Sequence, residues 1–324
     1  MWAQRLIAPL RFEKIEVPDL TEADVPDGHV LLRSLAGGIC GSDLPVFRGA
    51  AFGHAKDKGG AVGRVPGLPM HEIVGEVLVS RHPALPAGAN VVGWASGFDA
   101  IAQYVVSDGE GLIAYDPSLA PTTAIAIQPL ACVLYAVEQI AGGIAGKRAA
   151  VLGQGPIGLL FSHVLNVRGA TVTGVDRVDR TSHASVFGVT EAATFNADRW
   201  GASLGPSERP ELIVEAVGHQ VSTLRIALEA AAFGGHVFYF GVPDDANYPL
   251  EMMTLFRKNL TLQGGWTMDR QRVLREAADY FAAHPELREA YVSHVYKADG
   301  VQRAFEAACA PKPGQFKIAL DMVA

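Results

Sequence analysis

Two groups of residues in this 324-residue chain have the types and spacing to do chemistry. One is Gly153-Gln154-Gly155-Pro156-Ile157-Gly158, a G-x-G-x-x-G run. The other is a set of ligand-type side chains near the N-terminus: Cys40 with Ser42 and Asp43, then His71 with Glu72. The glycine run binds a dinucleotide when it closes a strand and opens a helix. A thiolate and a neutral imidazole are natural zinc ligands. Taken singly, Cys40 reads as core and His71 as an ordinary hydrogen-bonded side chain beside a strand.

The glycine run has the context it requires. AAVL before it reads as a buried strand, the pattern predicts a helix over 156–167, and TVTGV forms a second strand ending at Asp176. Gly153 makes the tight turn, Gly155 admits the pyrophosphate to the main chain, and Gly158 lets helix and strand pack closely. Pro156 and Ile157 open the helix, whose positive end faces the phosphates. Asp176 can accept hydrogen bonds from both adenosine ribose hydroxyls and repels a 2′-phosphate, which favours NAD over NADP. Arg177 follows it and would soften that preference. A strand–helix turn without a ligand is the plainer alternative.

The surrounding chain sets bounds on partners. Its length points to two domains, and 49% hydrophobic against 19% charged residues is ordinary globular composition. Net charge is −7 with no Lys/Arg block, which argues against nucleic acid and anionic membranes. No apolar run reaches the ~18 residues of a membrane span; the longest candidate, 122–137, is broken by Gln128 and Pro129. The start shows no signal peptide. Three cysteines (Cys40, Cys132, Cys309) are an odd, sparse set, pointing to a reducing, cytoplasmic location.

Residues 1–120 read as short β segments, including 30–39 and 72–80. From about 129 the texture changes to a helical run (130–141) and then alternating strands and helices, with strands at 211–218 and 236–242. That order predicts a parallel sheet with crossover helices. A helix over 270–283, a β segment near 291–296, a short helix near 299–309 and a last strand at 316–322 follow.

Gly38-Ile39-Cys40-Gly41-Ser42-Asp43 and His71-Glu72-Ile73-Val74-Gly75 resemble the two catalytic-zinc segments of zinc-dependent medium-chain dehydrogenases. Gln128-Pro129-Leu130-Ala131-Cys132 resembles a third, and Glu215-Ala216-Val217-Gly218, Gly234-Gly235 and Gly241-Val242-Pro243 resemble the family's nicotinamide-side strand ends. Val217, Gly218, Gly241 and Val242 would then touch NAD, and Lys317 matches a near-terminal basic residue. The resemblance implies an α/β fold: a GroES-like β domain (1–128, with 267–324 returning to it) and a doubly wound Rossmann domain (129–266), with the active site in the cleft between them. It implies Cys40, His71 and Gln128 as zinc ligands with Glu72 behind the metal or as an alternative ligand. Ser42 would pass the substrate proton outward and Asp43 would orient His71. A homodimer or homotetramer is implied on the same ground.

Four departures bear on this. The third ligand is Gln128, a neutral amide, so a zinc site with Cys40 as its one anion would carry a net charge of about +1; Glu72 turning inward would restore the balance. Cys132 shares a helical face with Gln128 and Tyr135 if this helix starts at Pro129, and it reads as packing or as a substitute ligand. The family's structural-zinc lobe of four cysteines is missing. Met70 stands where a glycine precedes the His-Glu pair, altering local backbone freedom. Pro45 replaces a relay histidine, leaving Ser42, ribose and water, or Tyr135, for proton release.

Between Cys40 and His71 the stretch 46–66 carries Arg48, His54, Lys56, Lys58 and Arg64 against Asp57. It reads as a solvated Gly-rich loop; its basic excess would also suit an anionic or polyhydroxylated substrate. Phe47, Phe52, Trp94, Phe98 and Trp266 could line a substrate site or belong to the core. The expected activity is NAD-dependent, zinc-assisted interconversion of a secondary alcohol, polyol or amino alcohol and its ketone. A zinc-free reductase of an activated double bond or quinone, and a non-catalytic nucleotide-binding protein, stand as alternatives.

Overall fold

The computed structural model describes residues 1–50 and 65–323, so the basic stretch from Phe52 to Arg64 lies outside the described residues. The chain divides into two compact units: residues 1–131, 269–311 and 315–324, and residues 132–268 with 312–314.

The first unit opens with strands β1 (Trp2–Ala8), β2 (Arg11–Glu16), β3 (His29–Gly38), β4 (Glu72–Ser80), β5 (Asn90–Trp94), β6 (Tyr104–Asp108) and β7 (Leu112–Ala114). The second holds β8 (Arg148–Leu152), β9 (Thr171–Asp176), β10 (Glu191–Thr194), β11 (Leu212–Glu215), β12 (His236–Tyr239) and β13 (Thr261–Gly264). The chain then returns with β14 (Val292–Lys297) and β15 (Lys317–Asp321).

In the first unit the large sheet runs β14-β15-β3-β4-β5-β7, with β6 also pairing β3. The last strand is thus internal: β15 lies antiparallel to β3, with Ala319 opposite Gly38 and Asp321 opposite Ala36. Alternating β-branched residues direct one face of these strands inward, where Val30, Leu32, Ile73, Val77, Val91, Ile318 and Leu320 form one core cluster. The sequence Pro121–Glu138 is apolar enough to suggest a span, yet 67% of it is buried within the protein.

Met70 carries a side chain where the sequence resemblance expects none. It is absent from the left-handed residues, and its fully buried side chain occupies the space over Gly37, where a Cβ would fall 2.0 Å from its Cε. The adjustment to losing a glycine is steric, and it is made across the sheet.

In the second unit six strands lie parallel in the order β10-β9-β8-β11-β12-β13, the doubly wound dinucleotide-binding order. β8 is buried from Ala149 to Leu152, as a strand covered on both faces must be. The helix Pro156–Val167 is buried continuously from Gly158 to Leu165, so it packs by composition and not by a single apolar stripe.

The helix Val221–Ala230 ends on a lysine from a distant segment. Lys258 Nζ donates to the carbonyls of Leu228, Glu229 and Ala231 at 3.2, 2.6 and 2.6 Å. A cation on the last free carbonyls satisfies them and complements the helix dipole. Lys258→Met is expected to lower the free energy of unfolding in urea by about 2 kcal/mol; an unchanged midpoint would show that water caps this helix equally well.

Candidate active site

β3 and β4 place the ligand-type side chains of the first unit. Cys40 lies two residues beyond the end of β3, Glu72 opens β4 and His71 immediately precedes it. The register pairs Gly38 with Glu72, which brings the two segments side by side. One ligand atom from each of Cys40, His71 and Glu72 lies within 4.8 Å of the others.

Asp43, buried at 2% exposure, ties this group together. It starts the short helix Asp43–Phe47, for which Ser42 is the N-terminal flank. Its Oδ2 accepts from the Cys40 backbone N–H at 2.8 Å, and its Oδ1 lies 3.1 Å from His71 Nδ1. With Nδ1 so engaged, Nε2 is the ring nitrogen left to serve as a ligand. Burial pushes the His71 pKa down, but the Asp43 carboxylate and the Cys40 sulfur outweigh it and hold the pKa well above the ordinary value. Pro45 falls within the first turn of its helix, where backbone N–H groups have no intrahelical partner.

Behind the group sits a buried ion pair. Lys317 Nζ, at the start of β15, lies 2.5 Å from Glu72 Oε1 and donates to the Ile39 carbonyl at 2.9 Å. Both side chains are 1% exposed. Burial raises the Glu72 pKa, and Lys317 offsets this only in part. Glu72 Oε2, also beside Nζ, makes no directed hydrogen bond. Gly38 must be glycine here: a Cβ would fall 2.1 Å from Glu72 Oε2 and 2.9 Å from Lys317 Cε.

The remaining residues are placed more simply. Gln128 is buried in the first turn of the helix Ile127–Glu138, which begins two residues before Pro129. Cys132 and Tyr135, four and seven positions on, are half-buried on the same face. The imidazole of His71 lies 5.3 Å, centroid to centroid, from Phe98, whereas Phe47 belongs to the core with Phe12 and Phe305. Trp94 is buried and Trp266 is exposed.

In the second unit the glycine run behaves as its chemistry requires. Gly153 has φ +88°, and a Cβ on Gly158 would fall 1.7 Å from the Gly153 carbonyl oxygen. A Cβ on Gly155 would meet no protein atom within 4 Å, so the space beside it is open to a ligand. Asp176 Oδ2 accepts from the Gln154 N–H at 2.7 Å and Oδ1 from the Val178 N–H at 2.8 Å. Each oxygen keeps further lone pairs for a ribose. Arg177 is exposed. Val217 backs Gly153, and Gly218 abuts Gly241 and Val242.

Three participants escaped the sequence reading. Gln154 turns inward, donating to the Val151 carbonyl at 3.2 Å and accepting from Ser162 Oγ at 3.1 Å; the glycine at 174, whose Cβ would fall 2.8 Å from Gln154 Cδ, was the available signal. Buried Arg180 donates to the Lys312 carbonyl at 3.0 Å and feels the Asp176 charge. Thr223 donates to the buried Glu215 at 2.7 Å.

Residues 156–283 match the family model described as Zinc-binding dehydrogenase. Over 312 aligned residues the chain is 29% identical to D-altritol 5-dehydrogenase of Agrobacterium fabrum, covering 85% of this chain and 87% of that one. It is 26% identical to L-idonate 5-dehydrogenase (NAD(P)(+)) of Escherichia coli, covering 75% and 78%. The solved alcohol dehydrogenase TADH from Thermus sp. ATN1 aligns with TM-score 0.78 and 25% identity over 100% of both chains. The chain thus carries a match to the zinc-binding dehydrogenase model over 156–283, and its sequence and fold are similar to those of polyol and alcohol dehydrogenases. Each of these relatives is named as a dehydrogenase, which supports a dehydrogenase reading of this chain.

Removing one member of the buried pair leaves an uncompensated charge, at a cost of about 3–5 kcal/mol. Lys317→Met is therefore expected to destabilise chelator-treated protein by that amount, and Lys317→Met/Glu72→Gln to recover at least half. Equal losses in the single and double variants, measured in urea, would show that the pair is not coupled.

Proposed function

We propose that this protein interconverts a secondary alcohol of the polyol, sugar-like or amino-alcohol class and its ketone, using NAD and one catalytic zinc ion. The observation that carries the reading is the convergence of Cys40, His71 and Glu72 within 4.8 Å, buttressed by Asp43 and Lys317. The donor set fits zinc: a thiolate, an imidazole whose other nitrogen is already engaged, and a carboxylate oxygen without a directed hydrogen bond. Cys40 and Glu72 would supply two anionic ligands, with Lys317 beside Glu72 leaving the group a net positive charge, and Gln128 would contribute a neutral donor. The open space beside Gly155 likewise fits a dinucleotide's phosphates.

When bound, zinc supplies a Lewis acid that lowers the hydroxyl pKa of an alcohol, and nicotinamide supplies the hydride acceptor. The chain's own residues do the rest. Asp43 fixes the His71 ring, Lys317 restrains Glu72, and Ser42, half-buried at the head of its helix, takes the proton leaving the substrate oxygen, with Tyr135 as the other relay candidate. The first unit serves as the catalytic body. The second holds NAD through Gly153, Gly155, Pro156, Ile157, Gly158, Asp176, Arg177, Val217, Gly218, Gly241 and Val242. The cytoplasm suits the three free cysteines. A homodimer or homotetramer completes the reading, supported by exposed Phe233 and Phe256 on the second unit.

Protein purified without added zinc or chelator is expected to carry about one zinc per chain. Cys40→Ser should lose most of it, and Gln128→Glu should bind it more tightly. A metal-free wild type with a zinc-loaded Gln128→Glu variant would overturn the zinc mechanism and favour metal-free reduction of an activated double bond.

Asp176→Ala is expected to cut the preference for NADH over NADPH by about tenfold, or 1.4 kcal/mol. Fluorescence titration that finds the ratio of the two Kd values unchanged would remove Asp176 as the selector.

A further inference from the structure

Glu215 is a fully buried carboxylate that the mechanism above does not use. It closes β11 at the C-terminal edge of the parallel sheet, the edge at which open α/β sheets bind their ligands. Its Oε1 accepts from Thr223 Oγ1 at 2.7 Å, from the Gly218 N–H at 3.1 Å and from the Val217 N–H at 3.2 Å. Its Oε2 lies 3.3 Å from the same Gly218 nitrogen. Its backbone carbonyl accepts from the N–H groups of Phe240 and Gly241, just past the end of β12, at 2.9 and 3.0 Å. One residue thus holds the turns that follow two neighbouring strands.

Those turns are closely fitted and conformationally demanding. Gly218 and His219 are consecutive left-handed residues, at φ +65° and +54°. The second of these is uncommon for a side chain with a Cβ, and such conformations persist only when the surroundings over-determine them. The His219 N–H donates to the Val242 carbonyl at 2.9 Å, closing one turn on the other. A Cβ on Gly241 would fall 2.2 Å from the Gly218 nitrogen and 2.5 Å from Glu215 Oε2. On the far side, the Val217 side chain would lie 2.8 Å from a Cβ on Gly153, the first glycine of the phosphate turn. Every group aimed at the Glu215 carboxylate is a neutral donor, an arrangement that suits the anion. Burial pushes its pKa up, and these donors pull against that.

We propose that Glu215 is a positioning residue for the dinucleotide: its carboxylate locks the Val217–His219 turn, against which the Gly241–Val242 turn and the Gly153 turn are seated, and so sets one surface for the cofactor. The inference rests on the dinucleotide reading above. It is deeper than that reading, because it assigns the shape of the surface to a buried anion that never touches the cofactor.

The test is NADH titration by fluorescence of wild type, Glu215→Gln and Thr223→Val, well below their melting temperatures, with Tm measured alongside. Glu215→Gln keeps size and one acceptor but turns an NH2 group toward backbone N–H donors, and is expected to raise the NADH Kd about tenfold, or 1.4 kcal/mol. Thr223→Val is isosteric, removes one donor and should raise the Kd about threefold, so it carries the test if Glu215→Gln fails to fold. In steady state the KM for NAD should rise more than kcat falls, and the emission of saturated NADH should shift from its wild-type maximum. Lowered Tm with Kd and emission unchanged would assign Glu215 to the fold alone and overturn the proposal. Wild type that binds NADH, with both folded variants binding within about twofold of it, would also remove this inference while leaving the dinucleotide reading intact. Wild type that binds neither NADH nor NADPH would overturn the dinucleotide reading and this inference with it.

Discussion

The ion pair between Lys317 and Glu72 is the constraint around which the first unit is arranged. Its members are 245 positions apart in the chain and both are closed off from water. A lysine and a glutamate there are tolerable only at contact distance, because either alone would be an unpaired charge in the core. Contact requires β15 to lie against β3 and β3 against β4 in the observed register. The same demand forbids a side chain at Gly38, and Cys40 follows two residues later. The electrostatic cost of one buried charge therefore sets the positions of three strands and of the ligand cluster they carry.

The second unit achieves precision by a different route. Its sites are made of backbone: glycines that admit close approach, N–H groups gathered by carboxylates, and turns at the ends of parallel strands. Asp176 fixes the Gln154 N–H of the glycine-run turn from the neighbouring strand, and Glu215, on the other side of β8, gathers the Val217 and Gly218 N–H groups of the turn that follows its own strand. Both carboxylates close their strands, where backbone donors no longer serve the sheet ladder.

Local features of the second unit were legible in the sequence because they are encoded locally. The glycine run, the helix Pro156–Val167 and the strand ending at Asp176 stand where periodicity and turn chemistry put them, as does the helix Arg270–Ala283 of the first unit. Cys40, His71 and Glu72 were legible as ligand types, but the proximity of Cys40 to the other two depends on strand register. The internal position of β15 and the lysine cap on Val221–Ala230 had no signal, because each joins residues distant in sequence. Where the Met70 side chain goes was not legible either. A glycine can be replaced where its backbone freedom is not needed, provided that a neighbour such as Gly37 yields the volume. Gln154 was hidden by the fingerprint itself, which treats that position as free.

The internal position of β15 also orders events during synthesis. All six strands of the second unit, Arg148 to Gly264, leave the ribosome before Lys317 is added. Until then Glu72 lacks its lysine and the Ala36–Gly38 end of β3 lacks the partner that β6 supplies to His29–Arg33, although Cys40 and His71 were made long before. The nucleotide-binding sheet can therefore close while translation is under way. The sheet that carries Cys40, His71 and Glu72 waits for Lys317–Asp321, so loss of that one strand would fall first on the side chains gathered there and not on the parallel sheet.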